Sequence, residues 1–406
     1  MSLKYLFVDM NSYFASVEQQ LQPHLRGRPV AVAPVNADTT SCIAASYEAK
    51  RFGVKTGTRI SDAKRMCRDL VVVPARPRLY VEKHHEIVAA VESVLPVQAV
   101  LSVDEMVCTL MGDHRHEKNA LAVARRVKQA VLDRAGEWMR SSVGLAPNRL
   151  LAKVAADMQK PDGLTVLRRE DLPGKLMDLK LTDFPGIGPR MERRLNLVGI
   201  ATARHLLELD VRQMARVWGS QLIGGMWYHR LRGLDVPDSP TRRRSVGHSR
   251  VLEPALRNER DARGILIRLI HKAAARLRHI GYCAGSVRLS VTYPGRETKF
   301  KAGKRIEPCQ DTLTLIRHLT PFWEQRPGGP PLKVGIVFGD LVHERNVPRS
   351  LFEPDNRLTD LAKAMDAANA KCGRYAVYFG GMHGKGDAIS TRIAFGVVPD
   401  LALTDA

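Results

Sequence analysis

The stretch YLFVDMNSYF, residues 5–14, decides how the chain is read. An apolar run ends on a lone acid, Asp9, and a helix-forming segment follows with Phe14, Val17 and Leu21 at helical spacing. A buried strand over 4–9 that turns at once into a helix over 11–20 puts Asp9 at a sheet edge facing solvent. A second stretch, VLSVDEMVCTL at 100–110, sets Asp104 and Glu105 between two apolar runs, in a hairpin over 97–110. Converging carboxylates repel each other unless divalent cations lie between them, and paired Mg²⁺ is what phosphoryl transfer requires. Successive strand residues point to opposite faces, so Asp104 and Glu105 share a cation only from the bend of that hairpin. The competing reading removes the site: Asp9 caps the helix and Asp104-Glu105 is a solvated turn.

Outward from these stretches, apolar runs predict strands at 28–33, 41–45 and 141–145, and helices at 46–52, 81–95, 118–135 and from Asn148 to Gln159. Alternating strands and helices over the first 170 residues give an α/β domain. Residues 171–236 hold short helical segments and no strand, an all-α unit. PDSPTRRRS at 237–245 reads as a linker. Beyond it the order β-α-β-β-α-β is a split βαβ arrangement, with strands near 246–251, 285–293, 297–302 and 332–338 and helices over 258–280 and 311–324. One helix is predicted in the C-terminal segment, at 357–371.

The 406 residues are too many for one ordinary domain, and 44% apolar content is enough for real cores. Basic residues outnumber acidic ones by 63 to 42, a net charge of +21, which points to a polyanionic partner, nucleic acid above all. Six scattered cysteines form no CxxC pair and read as reduced thiols in a cytosolic protein. No segment approaches the roughly 20 apolar residues of a membrane helix, so no membrane partner is expected. His84-His85 and His114 with His116 lack zinc-ligand spacing and read as surface residues.

Four segments, in order and in register, resemble the motifs of the Y-family DNA polymerases, the bacterial translesion enzymes. They are VDMNSYFASVE (8–18), SYEAKRFGV (46–54), SVDE (102–105) and LLAKVAADMQKPDG (150–163). The resemblance covers about residues 1–340. It implies a multi-domain α/β right hand: palm at 1–12 and 78–170, small fingers at 13–77, and an all-α helix-hairpin-helix thumb at 171–236. The linker at 237–245 then leads to a βαββαβ little finger at 246–340 and a C-terminal tail at 341–406. The implied function is low-fidelity, template-directed synthesis past damaged bases, by two-metal nucleotidyl transfer and without a proofreading exonuclease. The alternative is a DNA-binding adaptor of the same fold that recruits other repair proteins.

The resemblance also assigns residues. Asp9 and Asp104 would bridge two Mg²⁺ ions, Glu105 would hold the attacking-side ion, and the Met10 backbone carbonyl would add a ligand to the triphosphate-side ion. Tyr47, Lys50 and Lys160 would bind the triphosphate. Lys50 stands where relatives often carry an arginine, so a point charge replaces a bidentate fork, and Arg51 is a candidate substitute. Phe14, five residues after Asp9, matches the steric gate that excludes a ribose 2′-hydroxyl, with Tyr13 as the competing candidate. Asn11 stands where relatives often carry an Asp. FPGIGP at 184–189, through Gly186 and Gly188, would hold a duplex phosphate on backbone N–H groups. Arg242, Arg243, Arg244, Arg250, Arg288, Lys299, Lys301, Lys304 and Arg305 would grip the DNA backbone, Lys299 and Lys301 from one face of a strand on which Thr298 and Phe300 take the other. Leu351 and Phe352, in RSLF, resemble a sliding-clamp peptide without its leading Gln. The implied partners are primer-template DNA and dNTPs, with the clamp as a further candidate, for a monomer in the bacterial cytoplasm at the nucleoid.

Overall fold

The computed structural model describes residues 3–238, 243–295, 299–347, 357–373 and 375–383. Its frame is a five-stranded sheet in the order Val97–Val100, Glu105–Thr109, Tyr5–Met10, Ser141–Ala146, Leu164–Val166. Tyr5–Met10 takes the centre because both of its faces are apolar. Leu6, Val8 and Met10 pack with the helices Pro77–Glu92 and Glu117–Ala135, while Phe7 packs on the other side with the helix Arg149–Met158. Its antiparallel register sets Asp9 opposite Glu105 on one neighbour and Ser142 on the other.

Two local features seat the Arg149–Met158 helix. Asn148 caps it, its side chain accepting from the Leu151 N–H at 2.9 Å. Gly144 lets it come close: a Cβ there would stand 2.0 Å from the Ala152 carbonyl oxygen and 2.4 Å from the Ala156 nitrogen. Only a residue without a side chain permits that approach.

The strands Val30–Ala33, Ala44–Ala45 and Val71–Pro74 form a separate small sheet over a core of Ala31, Ala33, Ile60 and Ala63. The helix Tyr13–Leu21, counted with this unit in the sequence reading, instead puts Phe14, Ala15 and Val17 into the core of the large sheet. Four short helices between Pro189 and Leu231 form the all-α unit, whose core is continuous with the Arg149–Met158 helix. The Asn148 amide ties the two by donating to the carbonyls of Arg230 at 2.8 Å and Leu234 at 3.1 Å.

In the second α/β unit the strands run Phe300–Cys309, Tyr282–Thr292, Lys333–Gly339, Ser245–Val251, all antiparallel. Ser245–Val251 and Tyr282–Thr292 are thus split by Lys333–Gly339, and the helices Glu259–His279 and Thr312–Glu324 pack with the sheet's apolar residues in one core. The helix Arg357–Cys372 lies against this unit: Arg278 forms a two-pronged pair with Asp366 at 2.6 and 2.8 Å. Tyr375 and Phe379 follow it onto the same helical layer, around Arg268 and His271. No helix among the described residues is long and apolar enough to cross a membrane.

Candidate active site

The three acids lie on adjoining backbone. Asp9 and Glu105 face each other in register, and the Met10 N–H donates to the Asp104 carbonyl at 2.9 Å. Asp104 occupies the bend just before the strand that begins at Glu105, so strand alternation does not separate the pair. Asp9 does not cap a helix. The helix starts at Tyr13 behind Ser12, which sits in the left-handed region at φ 49° and makes no side-chain cap bond. The Asp9 carboxylate turns instead to two ammonium groups: Lys160 at 2.7 Å and Lys153 closer still. Lys153 also reaches Glu105 at 2.7 Å and Asp157 at 3.1 Å. Asp104 accepts from the Ser102 hydroxyl at 2.5 Å. Burial, reinforced by the Asp9 and Glu105 charges, raises its carboxyl to about 6 against the Ser102 hydrogen bond and the Lys153 charge. Burial opposes the charge on Lys153, but Asp9, Asp157 and Glu105 outweigh it and lift its pKa above the usual lysine value.

The short helix Tyr47–Arg51 brings a second group to the same place. Tyr47 and Lys50, three residues apart, share one of its faces. The Lys50 ammonium lies 4.3 Å from the Tyr47 ring centre and donates to the Ser12 hydroxyl at 2.7 Å. Burial, with the Asp9 charge second, pushes the Tyr47 hydroxyl up to about 12. Desolvation and the neighbouring Lys160 ammonium lower the Lys50 pKa, with Asp9 opposing. Tyr47, Lys50 and Lys160 therefore surround Asp9, while Arg51 is exposed on the next face.

Tyr13 and Phe14 are both buried, at 3% and 4% exposure, but differ in what holds them. The Tyr13 hydroxyl is committed to the Tyr80 carbonyl at 2.6 Å; the Phe14 ring stacks on the Tyr80 ring at 4.5 Å. Glu18, Arg76 and the Tyr80 hydroxyl hydrogen-bond behind that stack, Tyr80 to Glu18 at 2.6 Å.

Sequence reasoning missed Lys153 and Asp157. They lie within the quoted 150–163 segment at intervals of four and then three to Lys160, which on a helix is one face; that spacing was the available signal. It also gave no role to Asn11, whose amide donates to Ser142 at 3.0 Å and whose oxygen accepts from the Asp162 N–H at 2.7 Å. Lys128 grips Asp162 from the other side at 2.6 Å, and together they fix the turn that carries Lys160.

Among the described residues no group of three His, Cys, Asp or Glu side chains is arranged to hold a metal ion, and in this arrangement the lysines and Ser102 engage the carboxylates. The donor chemistry still fits a hard divalent cation: carboxylate oxygens in one place, with sulfur and imidazole absent from the three.

The chain matches the impB/mucB/samB family over residues 8–157, the C-terminal domain of that family over 243–351, and the IMS family HHH motif over 169–200. It is 39% identical over 388 residues to DNA polymerase IV of Moorella thermoacetica, covering 92% of this chain and 94% of that one. The chain belongs to the Y-family DNA polymerases. It is accordingly a DNA polymerase of the translesion class. DNA polymerase IV 1 of Bacillus subtilis is 29% identical over 378 residues, 90% of each chain. The fold agrees: a Y-family polymerase chimera, Dbh-Dpo4(243-245)-Dbh, superposes with a TM-score of 0.68 at 23% identity, covering 84% of this chain and 99% of that one.

The regions of this polymerase expected to hold DNA divide. Gly186 needs its positive φ of 101° and packs against Trp227, and Gly188 caps the Pro189–Leu197 helix with open space around it. Lys299, Lys301, Arg288, Lys304 and Arg305 are exposed, as are Arg243 and Arg244. Phe300 turns inward as expected, while Thr298 lies outside the described residues. Arg250 departs from the expectation: it is 4% exposed, opposite Val334. Its strand alternates, and Val246, His248 and Arg250 face the helices while Ser245, Gly247 and Ser249 face outward. Arg242, Leu351 and Phe352 lie outside the described residues.

Proposed function

We propose that this polymerase extends a primer past damaged template bases with low fidelity and without proofreading, using Asp9, Asp104 and Glu105 to hold two Mg²⁺ ions. The observation that carries the reading is the register of Asp9 with Glu105, closed by the Met10 N–H bond to Asp104, with Lys160, Lys50 and Tyr47 around it. Bound divalent cations would activate the primer 3′-hydroxyl and neutralise charge on the triphosphate and the departing pyrophosphate. Lys160 and Lys50 present two ammonium groups and Tyr47 a neutral hydroxyl to the phosphates. The Asn11–Asp162–Lys128 contacts aim the turn that bears Lys160, which supports a positioning role for them.

Phe14 is the steric gate in this reading. The Tyr13 hydroxyl already has its partner, while the Tyr80 ring backs Phe14 and keeps it from yielding to a 2′-hydroxyl. Low fidelity follows from the fingers. Three strands of two to four residues and two short helices offer little to close over a base pair, and shape discrimination by binding alone amounts to about 1–3 kcal/mol. The outward face of the little-finger sheet and the Gly186–Gly188 loop hold duplex backbone without reading sequence.

Primer extension on damaged and undamaged templates, with and without Mg²⁺, tests this. Extension that needs Mg²⁺ and vanishes in Asp104→Ala supports it. Undiminished extension by that variant, or DNA binding with no extension by the wild type, would refute it, the latter in favour of an adaptor.

A further inference from the structure

We propose that Lys153 is the resident counter-ion of the carboxylate cluster, holding Asp9 and Glu105 together before a divalent cation binds and competing with that cation for them. The inference rests on the three acids being the cation ligands. The observations are geometric. One ammonium reaches carboxylates from three separate places in the chain: Asp9 on the central strand, Glu105 at 2.7 Å on its neighbour, and Asp157 at 3.1 Å one turn further along its own helix.

The side chain has little freedom to be elsewhere. It is 16% exposed and its ammonium lies 5.4 Å from the Phe7 ring centre, on a helix that Gly144 seats against the sheet. Lys160 differs. It shares Asp9 and Asp157 with Lys153, each at 2.7 Å, but it has no ion pair with Glu105, so it does not bridge the two strands. It is 29% exposed, on the loop past the helix end, and is the group facing the triphosphate in the reading above.

A cation held this way does two things. Without metal it offsets like charges that would otherwise repel across the strand pair and push the site open. With metal it has to release Asp9 and Glu105, and Asp157, already bound, gives it a place to go. Divalent-cation affinity therefore includes the cost of breaking the Lys153 pairs. By linkage, the stability that Lys153 confers in the metal-free protein is lost as the cation loads. A lysine that only packs the helix against the sheet would stabilise both states equally.

The test uses the full chain without DNA or nucleotide. Mn²⁺ binding is followed by electron paramagnetic resonance and thermal unfolding is recorded with and without Mn²⁺. The proteins are the wild type, Asp104→Ala, Lys153→Met and Lys153→Gln, the last in case the methionine variant does not fold. In either Lys153 variant we expect Mn²⁺ to bind about tenfold tighter, the metal-free melting temperature to fall, and that deficit to shrink at saturating Mn²⁺. Lys153→Arg, which keeps the charge, should restore wild-type behaviour. If the wild type binds Mn²⁺ at a site that Asp104→Ala abolishes, but the Lys153 variants bind no tighter or keep the same melting deficit with and without Mn²⁺, the counter-ion role is overturned and the carboxylate site stands. If Asp104→Ala binds Mn²⁺ as the wild type does, the site reading itself falls, and this inference with it.

Discussion

The palm site and the little-finger sheet both gather charge, but in opposite ways. In the palm, Lys153 and Lys160 are held on Asp9, Glu105 and Asp157 within a few ångströms, by strand register, by helical spacing and by the turn that bears Lys160. On the little finger, Lys299, Lys301, Arg288 and Arg305 stand exposed along neighbouring strands. A site built from few, close and partly buried contacts responds sharply to one substitution. A charged face spread over a sheet responds weakly and additively, and its response is set by salt.

That contrast can be broken most easily at its strongest point. Asp104→Ala should lower primer extension by about 10³-fold or more while leaving the circular dichroism spectrum unchanged. A loss of only severalfold would put the palm in the same class as the little finger. Gly144→Ala comes next. Its new methyl would meet the backbone of the Arg149–Met158 helix, so unfolding should cost about 3 kcal/mol less, read from the denaturant midpoint. Extension should fall with it, since the same helix carries Lys153.

The little finger sharpens the comparison through salt. Replacing Lys299 and Lys301 together by alanine should weaken duplex binding severalfold and reduce the slope of log affinity against log salt by about 2, with the fold intact. Arg250→Ala should do the reverse: buried beside Val334, it should lower thermal stability and leave the slope alone. A slope change in Arg250→Ala equal to that of Lys301→Ala would mean the sheet face has been assigned the wrong way round.

The smallest effect is in pH. In the metal-free protein Asp104 has its carboxyl at about 6, above the ordinary range, so the folded state takes up a proton before the unfolded chain does. Stability lost to this group at neutral pH is therefore recovered as pH falls through about 6 towards 4. Melting curves of wild type against Asp104→Asn should converge by about 1–2 kcal/mol over that interval. Divergence would put the Asp104 carboxyl in a more polar setting than its bend suggests.

What the sequence made legible followed from local pattern. The apolar run before Asp9 and the paired runs around Asp104-Glu105 specified strands and a hairpin bend, but the solvent-facing sheet edge expected for Asp9 did not follow. It lies on the central strand and is 4% exposed, because apolar residues on both faces of that strand draw it between two neighbours. Arg250 was misread because a basic residue in a strand near a linker looks like a DNA contact, while the strand's inward parity was marked only by Val246, four residues earlier. Lys153 was missed for a different reason. Its face on the helix was readable, but two of its three partners, Asp9 and Glu105, lie on strands, and only the register and the close approach at Gly144 bring them within reach. Asn11 belongs with it, since its partners Ser142 and Asp162 are 131 and 151 residues away along the chain.

The helix Arg357–Cys372 and the described residues that follow it to 383 have a practical consequence for anyone shortening this polymerase. Asp366 neutralises the otherwise interior guanidinium of Arg278, Tyr375 covers Arg268, and the turn at Gly381 rests on Ile267. A protein ended at the last little-finger strand would keep its sheet but strip the outer coat from the helix Glu259–His279. Such a fragment should be stickier and less soluble than its parent, and its affinity for DNA would be a poor guide to the intact molecule's.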